Sequence, residues 1–286
     1  MKFLQLVTTV TAGALFASGV SCHAESTSMQ PPQTQQFKVQ VADREITAHV
    51  LSPPDGKFSK NPLLLISLAM DWKTSLTVEP YNGTAQKFLA NGHRVLSFDL
   101  PNHGARVNQF GEGITGMRNA FVAGQDPFAA FVQDAKAVID RCIAEGIATP
   151  GKIVVCGTSR AGYLAIRLLA EDKRIAAAAA YAPVTDWREL SEFASDKNRE
   201  DVAALRLSQY SDALANKPLF FVIGNQDTRV STTACCRFYL SIVDANARKG
   251  VDASRIAFQV QSTPGHSSHA SWHHDGAEFL LKSGLS

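Results

Sequence analysis

The sequence predicts an α/β domain with a mostly parallel sheet of eight strands and helices on both of its faces. The first observation is that several runs of strand length, such as residues 62–68 and 217–224, are apolar without alternation, as in strands covered on both faces. The second is that residues 128–143 repeat apolar side chains at helical spacing. Strands that alternate with helices imply right-handed crossovers and therefore parallel neighbours.

The opening segment predicts an antiparallel hairpin, because residues 37–40 and 45–51 alternate polar and apolar side chains. Six further strands are predicted at residues 62–68, 93–100, 152–156, 174–182, 217–224 and 255–260. Helices are predicted at residues 81–90, 128–143, 164–170, 232–249 and 271–282. The polar, glycine-rich residues 101–126 are left without an element.

Two segments, residues 174–182 and 185–215, do not follow the simple pattern of apolar strands and amphipathic helices. Residues 174–182 are rich in alanine and have helical propensity, but they follow a helix and end in Tyr181-Ala182-Pro183, which favours a buried strand. Residues 185–215 are surplus to the alternation, and they predict a small cap of two short helices over the strand ends. Residues 37–286 as a whole suit one large α/β domain.

The first residues have the pattern of a targeting segment. Lys2 precedes an apolar stretch, and Cys22-His23-Ala24 offers a cleavage site, so residues 1–24 predict a signal peptide and a secreted or periplasmic protein. A lipid anchor on Cys22 is an alternative, although Gly19 stands where such sites usually carry leucine. Residues 25–36, with two prolines and four glutamines, predict a flexible lead-in.

Composition excludes several classes of partner. The chain has 28 Lys and Arg against 26 Asp and Glu, without a basic run interleaved with aromatic residues, so no nucleic-acid partner is expected. The mature chain shows no second apolar stretch that predicts a membrane span. Cys142 and Cys156 either pair or stay as buried thiols, and the thiols are favoured. The oligomeric state stays open.

The motif that carries chemistry follows the strand at residues 152–156. Gly157-Thr158-Ser159-Arg160-Ala161 stands between that strand and a helical segment, which is the context of a nucleophile elbow. Small residues two positions before and after the serine let strand and helix approach closely. Ala161 stands where a second glycine is usual, and Gly162 comes next. The alternative is a tight connection in which the serine only caps the helix.

Two further strings follow predicted strands. Gly224-Asn225-Gln226-Asp227 comes after the penultimate strand, and Pro264-Gly265-His266 comes after the last one. Residues 98–106 also contain Asp-x-x-x-His-Gly, with His103 and Gly104 expected to shape a loop. With serine, aspartate and histidine in this order, the mature chain resembles the α/β-hydrolase superfamily, nearest to its dienelactone-hydrolase and prolyl-oligopeptidase-like group.

The resemblance implies a serine hydrolase with an α/β-hydrolase fold. Ser159 would be the nucleophile, His266 the base and Asp227 the acid that orients it. The oxyanion hole would use the backbone N–H of Arg160 and that of Ala69 or, as the alternative, Met70. No cofactor or metal is expected. The expected substrate is a small-molecule ester, cleaved through an acyl-enzyme, and a peptidase or amidase of the same fold is the alternative.

The residues alone leave other assignments of the site open. His269 could replace His266 as the base, and Asp186 could replace Asp227, although Asp186 also fits a helix cap. His266, His269, His273, His274 and Asp275 have spacing that a zinc hydrolase could use, but no His-Glu-x-x-His motif accompanies them. A non-catalytic binding protein is a further alternative, because fold does not fix function. Arg106 and Arg160 either contact an anionic substrate group or remain solvated.

Overall fold

The computed structural model describes residues 32–285. These residues contain an eight-stranded sheet: β1 (Gln33–Val41), β2 (Arg44–Ser52), β3 (Leu64–Leu68), β4 (Arg94–Phe98), β5 (Ile153–Thr158), β6 (Ile175–Tyr181), β7 (Leu219–Gln226) and β8 (Ile256–Pro264). The α-helices of this part of the chain are α1 (Trp72–Thr77), α2 (Gly83–Ala90), α3 (Gly113–Val122), α4 (Pro127–Ala144), α5 (Arg160–Glu171), α6 (Glu200–Ala204), α7 (Ser211–Leu214), α8 (Thr232–Lys249) and α9 (Ala270–Leu285). None of these helices is long and apolar enough to cross a bilayer.

The sheet confirms the predicted fold class. Its strands lie in the order β1-β2-β4-β3-β5-β6-β7-β8. The pairs β1–β2 and β2–β4 are antiparallel, and the other neighbours are parallel. Crossovers place α4, α5 and α8 on one face of the sheet and α2 and α9 on the other. Each face has its own hydrophobic core. The carboxyl ends of the parallel strands therefore meet at one edge of the sheet.

Strands covered on both faces explain the unbroken apolar runs. In β3, Leu64 and Ile66 enter one core while Leu65 enters the other. The alanine-rich segment behaves in the same way. From Ala177 to Tyr181 the side chains of β6 alternate between the two cores, and the predicted strand is confirmed. Cys142 and Cys156 belong to different cores and are both free thiols.

Strand ends differ from the predicted ones where a neighbour extends the ladder. β1 begins at Gln33, so residues 33–36 belong to the sheet and not to the flexible lead-in, because the long β2 pairs with them up to Ser52. The predicted signal peptide and residues 25–31 of the lead-in lie outside the described residues. β7 and β8 continue together until Gln226 pairs with Pro264. Asp227 and His266 therefore stand just beyond two adjacent strand ends.

Two helices were missing from the prediction. α1 begins at Trp72 and is capped by Asp71, whose carboxylate accepts a hydrogen bond from the Thr74 N–H at 2.8 Å. α3 lies within the glycine-rich residues 101–126, where composition hides the helical signal. Gly116 is required there, because a Cβ on it would lie 2.2 Å from the Gly111 carbonyl oxygen. Tertiary packing, and not local propensity, selects this helix.

Residues 185–215 contain α6, α7 and three 3-10 turns, at Trp187–Glu189, Ser191–Phe193 and Leu207–Tyr210. The prediction of two short helices did not include the turns. Trp187 is fully buried, with its ring centroid 4.6 Å from that of Phe128 in α4 and 5.2 Å from that of Tyr163 in α5. This segment therefore shares the core of the α4–α5 face.

Candidate active site

Ser159 occupies a sharp turn between β5 and α5. Its backbone angles are φ 57° and ψ −117°, a conformation that costs a non-glycine residue on the order of 1–3 kcal/mol. The Ser159 N–H donates to the carbonyl of Tyr181 at 2.8 Å, and the Ser159 carbonyl accepts from the Val184 N–H at 3.0 Å. Both partners come from the end of β6 and the loop after it, so the neighbouring strand holds the strained turn in place.

The small residues around the serine are required because neighbouring backbone and side-chain atoms approach them closely. A Cβ on Gly157 would lie 2.3 Å from the carbonyl oxygen of Ala161, and one on Gly162 would lie 3.0 Å from the Pro183 Cβ. Ala161 is itself fully buried, and its methyl group fits the core. The substitution of alanine for the usual second glycine is therefore tolerated, since Gly162 provides the second close approach.

Ser159, His266 and Asp227 form a continuous chain of hydrogen bonds. His266 Nδ1 lies 2.7 Å from Asp227 Oδ2, and His266 Nε2 lies 3.1 Å from Ser159 Oγ. Because a carboxylate only accepts hydrogen bonds, Nδ1 carries the hydrogen and Nε2 accepts from the serine hydroxyl. The Asp227 carboxylate is fully buried, and its Oδ1 accepts from the N–H groups of Arg229 and Val230 at 2.9 and 3.1 Å. The imidazole can therefore accept a proton from Ser159 while the carboxylate stabilises it.

The alternative base and acid lie elsewhere. The His269 Nε2 contacts Ser267 Oγ at 3.1 Å. The Asp186 carboxylate caps the turn after it by accepting from the Arg188 N–H at 3.0 Å, as the cap interpretation expected. Neither side chain has a contact with Ser159 in the part of the chain that the structure describes.

The histidine side chains of residues 266–275 do not converge on one point. His273 is buried, its Nε2 lies 2.8 Å from Ser268 Oγ, and burial lowers its pKa to about 3. His274 is exposed and contacts Lys87 Nζ at 3.1 Å. Within residues 32–285, no three His, Cys, Asp or Glu side chains are placed to hold a metal ion.

The two backbone N–H groups considered for the second oxyanion donor differ in whether they are already bonded. The Ala69 N–H already donates to Ser75 Oγ at 2.9 Å, so it does not point to a bound substrate. The Met70 N–H has no partner among the described residues, and the Met70 carbonyl is fixed by the Leu100 N–H at 3.1 Å. Arg160 opens α5, where the first N–H groups have no acceptor within the helix. The Met70 N–H, and not that of Ala69, is therefore available beside the N–H of Arg160.

Asp99 organises the loops of the site, and sequence analysis did not give it a role. Its Oδ1 accepts from the Trp72 N–H at 2.9 Å and its Oδ2 accepts from the Ala105 N–H at 2.8 Å. It thus joins the loop after β3 to the loop after β4. Gly104 has φ 53°, and a Cβ there would lie 2.4 Å from Asp99 Oδ2. The signal was present in the Asp-x-x-x-His-Gly string, as a carboxylate just after a buried strand.

A cavity of about 140 Å³ opens above the serine. It is lined by Ala69, Met70, Tyr81, Thr158, Ser159, Arg160, His266, Ser267 and Ser268. Tyr81, Ser267 and Ser268 were not predicted, because each reaches the cavity through the fold of its own loop. The predicted nucleophile, base and oxyanion donors line one small cavity, and Asp227 lies buried behind His266.

A model of the prolyl oligopeptidase family matches residues 107–282, which is more than half of the chain and includes Ser159, Asp227 and His266. The chain belongs to the prolyl oligopeptidase family. It is therefore a serine hydrolase of the esterase and peptidase type, and the predicted superfamily is confirmed. No curated protein matches the sequence.

Solved structures share the fold of this prolyl oligopeptidase family member. TT1662 from Thermus thermophilus is similar with a TM-score of 0.67 and 18% identity, over 90% of this chain and 100% of that one. A cold-adapted esterase from an Arctic intertidal metagenomic library is similar with a TM-score of 0.64 and 20% identity, over 88% of this chain and 94% of that one. The acylaminoacyl peptidase of Pyrococcus horikoshii has a TM-score of 0.64 and 14% identity, over 90% of this chain but 42% of that one.

Proposed function

We propose that this protein hydrolyses carboxylic esters through an acyl-enzyme on Ser159. The observation that carries the proposal is the chain of hydrogen bonds from Ser159 Oγ through the His266 ring to the buried Asp227 carboxylate, at 3.1 and 2.7 Å. A serine hydroxyl is a weak nucleophile at neutral pH unless a base takes its proton, and this chain supplies such a base.

In the first half of the reaction Ser159 Oγ bonds to the acyl carbon while its proton moves to His266 Nε2. The carbonyl oxygen becomes negative and accepts hydrogen bonds from the N–H groups of Arg160 and Met70, which strengthen as the charge develops. The carbon–oxygen bond to the alcohol then breaks, and the alcohol leaves with the proton of His266. An acyl-enzyme and a neutral imidazole remain.

In the second half water replaces the alcohol. His266 Nε2 takes a proton from the water as the water oxygen bonds to the acyl carbon, and the bond to Ser159 Oγ breaks with return of the proton to the serine. Asp227 keeps the His266 hydrogen on Nδ1 throughout and stabilises the imidazolium form. The products are a carboxylic acid and the free enzyme.

The solved structures that are similar to this chain include esterases as well as peptidases, and the esterase is the first candidate. The Arctic esterase shares 20% identity with the chain and the acylaminoacyl peptidase 14%. The family description favours the second candidate, a peptidase or amidase that uses the same three side chains. Both candidates share the acyl-enzyme and differ in the leaving group that His266 protonates.

The decisive variant is Ser159→Ala in the purified mature protein. We expect loss of ester turnover to the background rate and loss of labelling by a fluorophosphonate probe, with an unchanged thermal unfolding temperature. Chromogenic esters and aminoacyl anilides tested side by side separate the esterase from the peptidase. Labelling that persists in the variant, or faster cleavage of the anilides than of the esters, contradicts the proposal.

We also propose that residues 1–24 direct export and are removed. The support is the sequence pattern alone, with Lys2 before an apolar stretch and a small residue at Ala24. Expression of the full chain with mass spectrometry of the product checks this, and the expected N-terminus is Glu25. A product that retains Met1, or that carries lipid on Cys22, contradicts it.

A further inference from the structure

Arg160 has a second feature besides its backbone N–H, namely a cationic side chain without an acidic partner. The half-buried Arg160 lines the cavity above Ser159. One hydrogen bond reaches its guanidinium group, between Nη1 and His103 Nε2 at 3.0 Å. Its Nε is buried without a partner, and no carboxylate of the described residues pairs with it. A guanidinium group has five N–H donors, and His103 uses one of them.

Other arginines nearby are neutralised. Arg106 bonds the fully buried carboxylate of Asp134 at 2.5 Å, so it is not free to bind a substrate. Arg229 and Glu192 lie close enough to influence Arg160, but they bond each other at 2.5 Å. Of these three arginines, Arg160 is the one without a carboxylate partner among residues 32–285. Burial of an unpaired charge is costly, and an incoming anion removes that cost.

His103 holds the guanidinium group without cancelling its charge. The Nδ1 of His103 donates to the carbonyl of Pro101 at 2.8 Å, which leaves the Nε2 lone pair to accept from Arg160. Burial lowers the pKa of His103 to about 4, so the ring is neutral at physiological pH. The expected role of His103 in shaping a loop is thus extended, because the ring also orients a side chain at the cavity.

The location of the guanidinium group indicates which part of an ester, the acyl group or the alcohol, lies beside it. The leaving alcohol must lie against His266 Nε2, and His266 follows β8 on one side of β5. The guanidinium group bonds His103, which follows β4 on the other side of β5. We propose that Arg160 binds a carboxylate on the acyl part of the substrate, so that half-esters of short dicarboxylic acids are preferred. This inference rests on the proposed esterase function.

The test compares a charged with a neutral acyl group on the same leaving group. Mono-4-nitrophenyl succinate, glutarate and adipate are each paired with the corresponding methyl ester, and the ratio of the two kcat/KM values is measured. The proteins are the wild type, Arg160→Gln, Arg160→Lys and Arg188→Gln. Arg188 pairs with Asp186 outside the cavity, so Arg188→Gln controls for the loss of one positive charge.

We expect the wild type to prefer at least one charged substrate, and Arg160→Gln to lower that ratio about 10- to 100-fold, as for a lost hydrogen bond to a charged group. Arg160→Lys should keep part of the preference, because the charge remains but the planar fork is lost. Arg188→Gln should keep the wild-type ratio. Absence of a preference in the wild type, or an equal loss for both members of a pair, overturns the inference and assigns Arg160 a structural role.

Two further measurements separate this inference from the esterase proposal. Free glutarate should slow fluorophosphonate labelling of Ser159 in the wild type and not in Arg160→Gln, a readout that needs no ester turnover. If the enzyme cleaves the neutral and the charged esters equally well, the esterase function is supported and the inference about Arg160 is contradicted. A preference confined to 4-acetoxybenzoate over its methyl ester, with the carboxylate on the alcohol, overturns the acyl-side location.

Discussion

The Asp227 carboxylate is completely buried, and both of its oxygens accept hydrogen bonds. One oxygen accepts from His266 Nδ1 and the other from two backbone N–H groups, of Arg229 and Val230. The backbone donors belong to the turn that follows β7, so the same turn that ends the strand also orients the carboxylate. A buried carboxylate without these partners would be strongly unfavourable.

The Asp227→Asn variant tests the orienting role at this position. The amide can still accept from the two backbone groups, but its NH₂ group would donate to His266 Nδ1 and place the ring hydrogen on Nε2. His266 then cannot accept the serine proton, and we expect kcat to fall on the order of 10⁴-fold with little change in folding. Steady-state kinetics with circular dichroism provides the measurement.

Asp186→Asn is the matched control for this variant. Asp186 was the alternative acid, and it caps the turn beginning at Trp187. Its replacement by asparagine should leave kcat near the wild-type value, since asparagine also caps. A normal rate for Asp227→Asn together with a large loss for Asp186→Asn would reverse the assignment.

At the scale of elements, side-chain caps set where several helices begin. The α4 helix starts after Asp126, whose Oδ1 accepts from the N–H groups of Phe128 and Ala129 at 2.9 and 3.0 Å. Pro127 occupies the first helical position, where its missing N–H costs nothing. α4 contributes Phe128, Phe131 and other buried side chains to the larger core, so its start is coupled to the whole α4–α5 face.

Asp126→Ala measures the contribution of this cap. We expect the free energy of unfolding to fall by about 1 kcal/mol, because two backbone donors lose their acceptor. Asp126→Asn should recover most of the loss. Denaturant unfolding checks both variants, and turnover by the folded protein should be unchanged because Asp126 does not line the cavity above Ser159. Equal stability of Asp126→Ala and the wild type would show that the cap contributes nothing.

At the scale of the whole molecule, buried neutral histidines make stability depend on pH. Burial lowers the pKa values of His49, His93, His103 and His273, and the shifts of the last two are large. Burial lowers the pKa of His103 to about 4 and that of His273 to about 3. In the unfolded chain both rings take up a proton near pH 6.5. Between pH 6.5 and the lowered values the unfolded state therefore binds more protons than the folded state, and stability falls as the pH is lowered.

We expect the free energy of unfolding to decrease below about pH 6.5, by up to about 1.4 kcal/mol per pH unit for each ring. Denaturant titrations at a series of pH values measure the slope. His273→Gln should reduce the slope while lowering the stability at neutral pH. The control is His274→Gln, which removes an exposed ring from the same helix. Equal slopes for the two variants would contradict the assignment to His273.

The sequence by itself determined the order of the eight strands and of the longer helices along the chain, and which segments end at the same edge of the sheet. Unbroken apolar runs identify strands covered on both faces, and side chains that follow parallel strands must meet at one edge. Within that set, the resemblance to the α/β-hydrolase superfamily selected Ser159, Asp227 and His266, since the residues alone left His269 and Asp186 as alternatives. Such patterns are local, since each depends on a few neighbouring residues and on a rule about how parallel strands are connected.

Only the tertiary structure decided which amides and charges remain available in the cavity. The Ala69 N–H donates to Ser75 of a helix that composition did not reveal, so the Met70 N–H is the one that stays available at the cavity. Arg106 and Arg160 look alike in sequence, yet Asp134 neutralises one and a neutral histidine holds the other. A hydrogen bond or ion pair between distant residues depends on their separation in space, which no local pattern records.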